Sequence, residues 1–223
     1  MERQFDQELI KLKENLYKMA SLTEETIAKS IKALAERDES MANDIINDDD
    51  IIDLLELDIN NHCLRLLALK QPMAIDLRLI TSAMKICGYL ERIADQTVNI
   101  SQRTLELAKQ PLLKPLIDIP RMANIAQQMV IVSINGLINN DSTQLKKLYK
   151  QDDVVDNLNE QIFRELLTYM IEDPRTIKRA VSLILVGRHL ERIGDLALNI
   201  AEEVFYIIEG KSIKHAESKD LSS

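Results

Sequence analysis

The segment Leu-Glu-Arg-Ile-Ala-Asp at residues 90–95 returns 100 residues later as Leu-Glu-Arg-Ile-Gly-Asp at residues 190–195. An Asn-Ile pair follows each copy at the same distance, at residues 99–100 and 199–200. The leucines and isoleucines of both stretches recur at gaps of three and seven residues, which places them on one face of an α-helix. The chain therefore contains the same helical element twice.

Two further groups of matches extend the repeat over the helices that precede this element. Both have an offset of 103 residues, so the second hairpin is three residues shorter than the first. The matched residues are Ser30-Ile31, Leu34 and Asp38 with Ser133-Ile134, Leu137 and Asp141, and Asp49-Asp50 and Asp53 with Asp152-Asp153 and Asp156. Matches in three successive helices indicate an internal duplication, and a repeat of this size determines the whole fold.

The composition favours helices throughout. The 223 residues include only 5 Gly and 5 Pro and no Trp, while 46% are hydrophobic. Strand-rich folds need more turn-forming glycines and more aromatic and β-branched residues. We therefore predict an all-α fold of two tandem, duplicated antiparallel three-helix bundles, with six long helices in total.

Prolines and polar turn residues divide the chain. Three prolines fall within residues 111–120 and mark the boundary between the repeats, because proline cannot continue a helix. The predicted parts are a first repeat at residues 1–110, a Pro-rich linker at 111–120, a second repeat at 121–210 and a polar tail at 211–223. Helix ends and chain reversals are predicted at residues 38–40, 71–72, 140–142, 173–174 and 210.

The charge and the termini exclude several classes of protein. The net charge is −8 and the pI is near 5.0, which argues against nucleic-acid binding through basic patches. Residues 1–5 contain no apolar signal core, and no stretch approaches the ~18 apolar residues of a membrane span. Cys63 and Cys87 are predicted to be free core residues. These features lead us to expect a cytoplasmic protein without a transmembrane segment.

Each half carries two acidic pairs with a spacing of four residues. Side chains four apart lie above one another on a helix, and two carboxylates so placed destabilise it by a few tenths of a kcal/mol. Solvent, a cation or a basic partner must compensate for this repulsion. The pairs are Asp49/Asp53 and Glu91/Asp95 in the first half, and Asp152/Asp156 and Glu191/Asp195 in the second.

The hairpin geometry brings the two pairs of each half together. The first half's pairs are centred on residues 51 and 93, whose midpoint is Pro72. The second half's pairs are centred on residues 154 and 193, whose midpoint lies at the 173–174 turn. Residues equidistant from the turn of an antiparallel hairpin lie level with each other. At ~100° per residue, these acids lie off the apolar stripe, so we predict a partly open acidic patch on each bundle's flank.

Four carboxylates at one level suit a cation that prefers oxygen ligands. Iron, manganese, magnesium and calcium meet this description. Cysteine and histidine do not cluster near the acids, which disfavours a closed structural zinc site. The alternative is a surface on which Arg92, Arg188 and Arg192 pair with the acids.

At these residues the chain resembles the PhoU family of phosphate-transport regulatory proteins. The resemblance covers residues 1–210, and its most specific mark is the Glu-Arg-Ile-Ala/Gly-Asp-x-x-x-Asn core in both copies. The resemblance implies surface metal clusters of iron or zinc and a homodimer. It also implies a negative regulator of the phosphate-starvation response, which links the ATPase subunit of the phosphate importer to a membrane sensor histidine kinase.

These observations lead to one functional hypothesis and two alternatives. The hypothesis is an adaptor without catalytic activity that binds a metal ion, iron first among the candidates, through the eight acids. The first alternative is a di-iron oxidase or ferritin-like store, although such proteins use Glu-x-x-His pairs and the chain contains none. The second is a purely structural helical adaptor without metal. His189 is interpreted as a surface histidine.

Overall fold

The computed structural model describes residues 2–70 and 72–211, and within these residues the ordered elements are helices, with no strand. The all-α prediction is therefore confirmed. The α-helices are α1 (Glu2–Glu36), α2 (Glu39–Asn47), α3 (Asp50–Lys70), α4 (Ala74–Ala108), α5 (Asp118–Asn139), α6 (Leu148–Glu172) and α7 (Ile177–Glu209). Short 3-10 turns at Leu145–Lys147 and Pro174–Thr176 precede α6 and α7.

The six-helix architecture is confirmed, with α2 and α3 together in the place of the predicted second helix. The two segments meet at Asp48 and Asp49, where the backbone N–H of Asp48 donates to Asp44 O at 3.0 Å and closes α2. Consecutive Asn and Asp residues at 47–50 explain the break, since their side chains compete with helical backbone hydrogen bonds. Asp49 thus lies at a helix junction, not within a continuous helix.

The predicted turns are found where the structure describes them. Asp38 caps α2 by accepting a 3.0 Å hydrogen bond from Met41 N, and Asp173 accepts one from Arg175 N at 3.0 Å. Gly210 ends α7 with a left-handed φ of 67°. Helix α5 begins at Asp118, three residues before the predicted start of the second repeat at residue 121. Pro120 is tolerated because it falls in the first turn, where its missing N–H costs no hydrogen bond. Gln71 and residues 212–223, most of the predicted tail, lie outside the described residues.

Helices α4 and α7 run antiparallel and join the two halves. Ser82 Oγ on α4 donates to Glu203 on α7 at 2.7 Å. Near the opposite end, Ser182 Oγ on α7 donates to Glu106 on α4 at 3.1 Å. Buried apolar side chains of both halves form one contiguous core. The two bundles are therefore packed together along their central helices.

Two predictions about individual side chains have different outcomes. Cys63 and Cys87 are free and buried as predicted, and burial raises the pKa of each thiol to about 12. The interpretation of His189 as a surface histidine is wrong. It is half-buried and its Nδ1 is 2.9 Å from Gln96 Oε1 across the α4–α7 contact, because the helix that covers this face belongs to the other half. In the described part of the chain, none of the helices is long and apolar enough to cross a membrane.

Candidate metal centre

The four predicted acids of the first half come together between the start of α3 and the middle of α4. Burial, followed by the charges of Asp53 and Asp95, raises the pKa of Asp49. Burial, followed by Asp95, raises the pKa of Glu91 to about 7, with Asp53 also contributing. The effects of Asp95 on Asp49 and of Asp53 on Glu91 act between the two acidic pairs, so the pairs face each other as predicted.

The second half repeats the arrangement between α6 and α7. Burial raises the pKa of Asp152 to about 6, and the charges of Asp156, Asp195 and Glu191 contribute to the shift. Burial, followed by the charge of Asp195, raises the pKa of Asp156. Burial, followed by the charges of Asp156 and Asp195, raises the pKa of Glu191. Each half therefore holds one acidic cluster that spans two helices.

All eight acids lie on the flanks of the bundles and none is buried. Asp53, Asp156 and Asp195 are exposed. The half-buried members are Asp49, Glu91, Asp95, Asp152 and Glu191. The prediction of partly open acidic patches outside the core is confirmed.

The sequence interpretation missed one residue in each cluster. Glu56 lies one turn beyond Asp53 and helps to raise the pKa of Glu91. Its counterpart at an offset of 103 residues is Asn159, whose Nδ2 donates to Glu191 Oε2 at 2.7 Å. A search for acids three residues apart, in addition to four, would have found Glu56. The first cluster therefore has one more carboxylate than the second.

Glycines on α4 and α7 allow the facing helices to approach the clusters. A Cβ at Gly88 would lie 3.5 Å from Glu56 Oε1, and one at Gly194 would lie 3.4 Å from Asp152 Oδ1. A Cβ at Gly187 would come within 2.8 Å of Asn159 Oδ1, so that side chain would have to move. The close approach of the helices explains why glycine occupies these positions, although each glycine within a helix costs about 1 kcal/mol relative to alanine.

The donor chemistry fits an oxygen-preferring cation, whereas the side-chain positions do not form a coordination shell. Asp152 Oδ1 is buried and has no hydrogen-bond partner within residues 2–70 and 72–211, although such an oxygen normally has one. In the same residues, no three His, Cys, Asp or Glu side chains converge closely enough to hold a metal ion. A cation would therefore have to draw the carboxylates inward from their present positions.

Arginines do not neutralise these clusters directly. Arg92 lowers the pKa of Glu91 and Arg188 lowers that of Glu191, but both effects are smaller than the opposing effect of burial. The ion pairs within 4.0 Å in the described chain do not join Arg92, Arg188 or Arg192 to any of the eight acids. The alternative of a salt-bridged surface therefore lacks its pairs.

We expect the metal-free protein to lose stability as the pH rises. Glu91 has an ordinary pKa of 4.5 and a folded-state pKa of about 7, so the folded state binds the proton more tightly than the unfolded chain does. Its stabilising contribution is full below pH 4.5 and is lost as the pH passes 7. Solvent screening of this half-buried group leaves about 1 kcal/mol, or roughly 2–4 °C in Tm.

Thermal unfolding of EDTA-treated protein between pH 5 and pH 8 measures this effect. The Glu91→Gln variant, which cannot ionise at this position but keeps Asp95, Glu56, Asp53 and Arg92 around it, should have a flatter pH profile. A wild-type Tm that rises over this range would contradict the assignment.

Three comparisons with known proteins bear on the whole chain. The family model described as the PhoU domain matches residues 16–104 and 119–204, once in each repeat. A phosphate-specific transport system accessory protein PhoU homolog from Aquifex aeolicus is 45% identical over 213 residues, which cover 96% of each chain. The crystal structure of PhoU from Pseudomonas aeruginosa is 35% identical with a TM-score of 0.89, covering 93% of this chain and 100% of that one. The phosphate transport system regulatory protein PhoU from Streptococcus pneumoniae is 28% identical with a TM-score of 0.86, covering 94% and 99%.

Proposed function

The chain belongs to the PhoU family, and on that premise we propose that it is a cytoplasmic, metal-binding regulator of phosphate uptake. In this role it acts as a negative regulator of the phosphate-starvation response. Its relatives are named accessory or regulatory proteins of phosphate transport. The observation that carries the proposal is that the match to these relatives extends over both repeats and nearly the whole length of both chains.

The proposed partners are those that the family resemblance implies. They are the ATPase subunit of the phosphate importer, a membrane sensor histidine kinase and a second copy of the chain. The long helices leave extended faces on both halves of the molecule, which suits an adaptor. We propose no catalytic activity, because the relatives are named accessory or regulatory proteins.

The two acidic clusters are the proposed metal sites. Asp49, Asp53, Glu91 and Asp95 would hold a cation in the first half. Their counterparts in the second half are Asp152, Asp156, Glu191 and Asp195. A bound cation would supply the positive charge that offsets carboxylate repulsion and links two neighbouring helices. Iron is the first candidate, and zinc, manganese, magnesium and calcium are the others.

The position of the acids disfavours the di-iron alternative. Oxidases and stores of that kind carry inward-facing Glu and His ligands in the bundle core. Here none of the eight acids is buried, and the two described histidines bind other partners, His62 to Glu8 and His189 to Gln96. The metal-free structural adaptor is the second candidate, and metal analysis separates it from the first.

Deletion of the gene in its native host tests the regulatory function. We expect transcripts of the high-affinity phosphate importer to rise at high phosphate in the deletion strain, because a negative regulator has been removed. The wild-type gene should restore low transcript levels, and an Asp95→Ala/Asp195→Ala double variant should not. Asp44→Ala, which removes an exposed carboxylate outside both clusters, is the control. Unchanged transcripts in the deletion strain would contradict the regulatory role itself.

A further inference from the structure

A groove with cationic walls lies between α1 and α3, away from both acidic clusters. Its volume is about 420 Å³. Lys11 and Lys18 line it from α1, and Arg65 lines it from α3. Asn15 and Asn61 add amide groups to the same lining. A chain of net charge −8 thus has a local surface of the opposite sign, and such a concave surface concentrates anions.

The cationic side chains of this groove do not form ion pairs with nearby acidic side chains. Within residues 2–70 and 72–211, no ion pair within 4.0 Å includes Lys11, Lys18 or Arg65. Glu8 is engaged by His62, whose Nε2 donates to Glu8 Oε2 at 2.8 Å. Asp58 is the single carboxylate among the described lining residues. Three cationic side chains therefore face the groove against one anionic side chain.

The second repeat provides an internal comparison, because several of the equivalent positions there are ion-paired or uncharged. At an offset of 103 residues, Lys11 corresponds to Lys114 and His62 to Glu165, and these two form an ion pair. Asn61 corresponds to Arg164, which pairs with Glu160 on its own helix.

Further replacements distinguish the two grooves, although Lys18 corresponds to another cation, Arg121, and Asp58 corresponds to the neutral Gln161. Arg65 corresponds to Thr168, so the cation on that wall is absent from the second repeat. Asn15 corresponds to Asp118, which accepts a 3.3 Å hydrogen bond from Gln161. Of the three cationic positions of the first groove, one is therefore ion-paired in the second repeat, one is replaced by Thr168 and one is kept as Arg121. The combination of three cations without ion pairs is specific to the first repeat in the described residues.

We propose that the groove between α1 and α3 binds a soluble anion that carries two or more linked phosphate groups. Lys11 and Lys18 are seven residues apart, about 10 Å along the helix, so their charges are spread over a length greater than that of one phosphate group. Arg65 lies on the opposite wall, and its guanidinium can bind phosphate oxygens in a bidentate manner. An extended, polyvalent anion can contact all three at once. This inference is independent of the metal sites.

Calorimetric titration of metal-stripped protein with tripolyphosphate in EDTA tests the proposal. We expect Lys11→Gln, Lys18→Gln and Arg65→Gln each to weaken binding about tenfold or more, since each removes a charge-assisted contact. The matched control is Arg164→Gln, which makes the same charge change in the equivalent groove and should leave the affinity unchanged. Thermal unfolding of each variant checks that the fold is retained.

Several results would overturn the assignment. These are no binding at low salt, equal weakening by Arg164→Gln, or no weakening by the three groove variants. Orthophosphate or a polyglutamate peptide that binds as tightly as tripolyphosphate would also overturn it, because orthophosphate has no linked phosphate groups and the peptide has no phosphate groups. Removal of metal before the titration keeps these outcomes separate from any failure of the acidic clusters to bind a cation.

Discussion

Protein that carries Asp95→Asn and Asp195→Asn should retain at most about a tenth of the metal bound by the wild type. Each substitution keeps the size of the side chain and removes one negative charge from the centre of a cluster. Asp95 repels Asp49 across the α3–α4 contact, and Asp195 repels Asp152 and Asp156 across the α6–α7 contact. A cation bound at Asp95 or at Asp195 would therefore have carboxylate ligands from two helices.

Elemental analysis of protein purified without an affinity tag measures this loss. Asp95→Asn alone should remove about half of the metal if the two sites are independent. The control is Asp173→Asn, which removes a carboxylate at the α6–α7 turn that is bound to Arg175 and not to either cluster. Wild-type metal content in the double variant would refute the assignment of these residues. Absence of metal from the wild type would favour the metal-free adaptor.

The second large effect concerns the core that the two halves share. Leu90 is completely buried on α4, beside Glu91, and Leu90→Ala should lower the free energy of unfolding by about 2–5 kcal/mol. The core of both halves is contiguous, so we expect one cooperative transition that shifts as a whole. Urea denaturation monitored by circular dichroism measures both quantities.

Leu69→Ala is the matched control for this substitution. Leu69 is 70% exposed on α3, and truncation of such a side chain should change stability by less than about 0.5 kcal/mol. Two separate transitions, with Leu90→Ala shifting only one of them, would contradict the packing of α4 against α7 as a single unit.

The sequence was sufficient to predict the helices and their repeat, because both depend on local geometry. It also predicted that the two acidic pairs of each half lie at the same height along neighbouring helices. Apolar spacing identifies a helix face within a few turns. The turns at Pro72 and at Asp173–Pro174 follow from the backbone limits of proline. Once the turns are placed, the facing of Glu91 and Asp95 with Asp49 and Asp53 follows from equal distances along two helices.

Two features of the structure depend on packing between different helices. Glu56 and Asn159 join the clusters only because α3 and α6 lie close to the glycines of the facing helices. The burial of His189 depends on Gln96, 93 residues away in the other half. The contact between His189 and Gln96 has no periodic signature in the sequence, whereas Glu56 keeps a helical spacing of three residues from Asp53.

The amino-acid sequence by itself determined the all-helical, duplicated architecture and the position of the eight acids on the flanks. Helical periodicity, proline turns and the repeat offset are properties of short segments, and they need no knowledge of distant contacts. Only the tertiary structure decided that the halves share one core and that α1 and α3 enclose a cationic groove. It also decided that a buried Asp152 oxygen has no hydrogen-bond partner among the described residues. These depend on which helix faces meet, and the free energy of that choice comes from burial summed over the whole molecule.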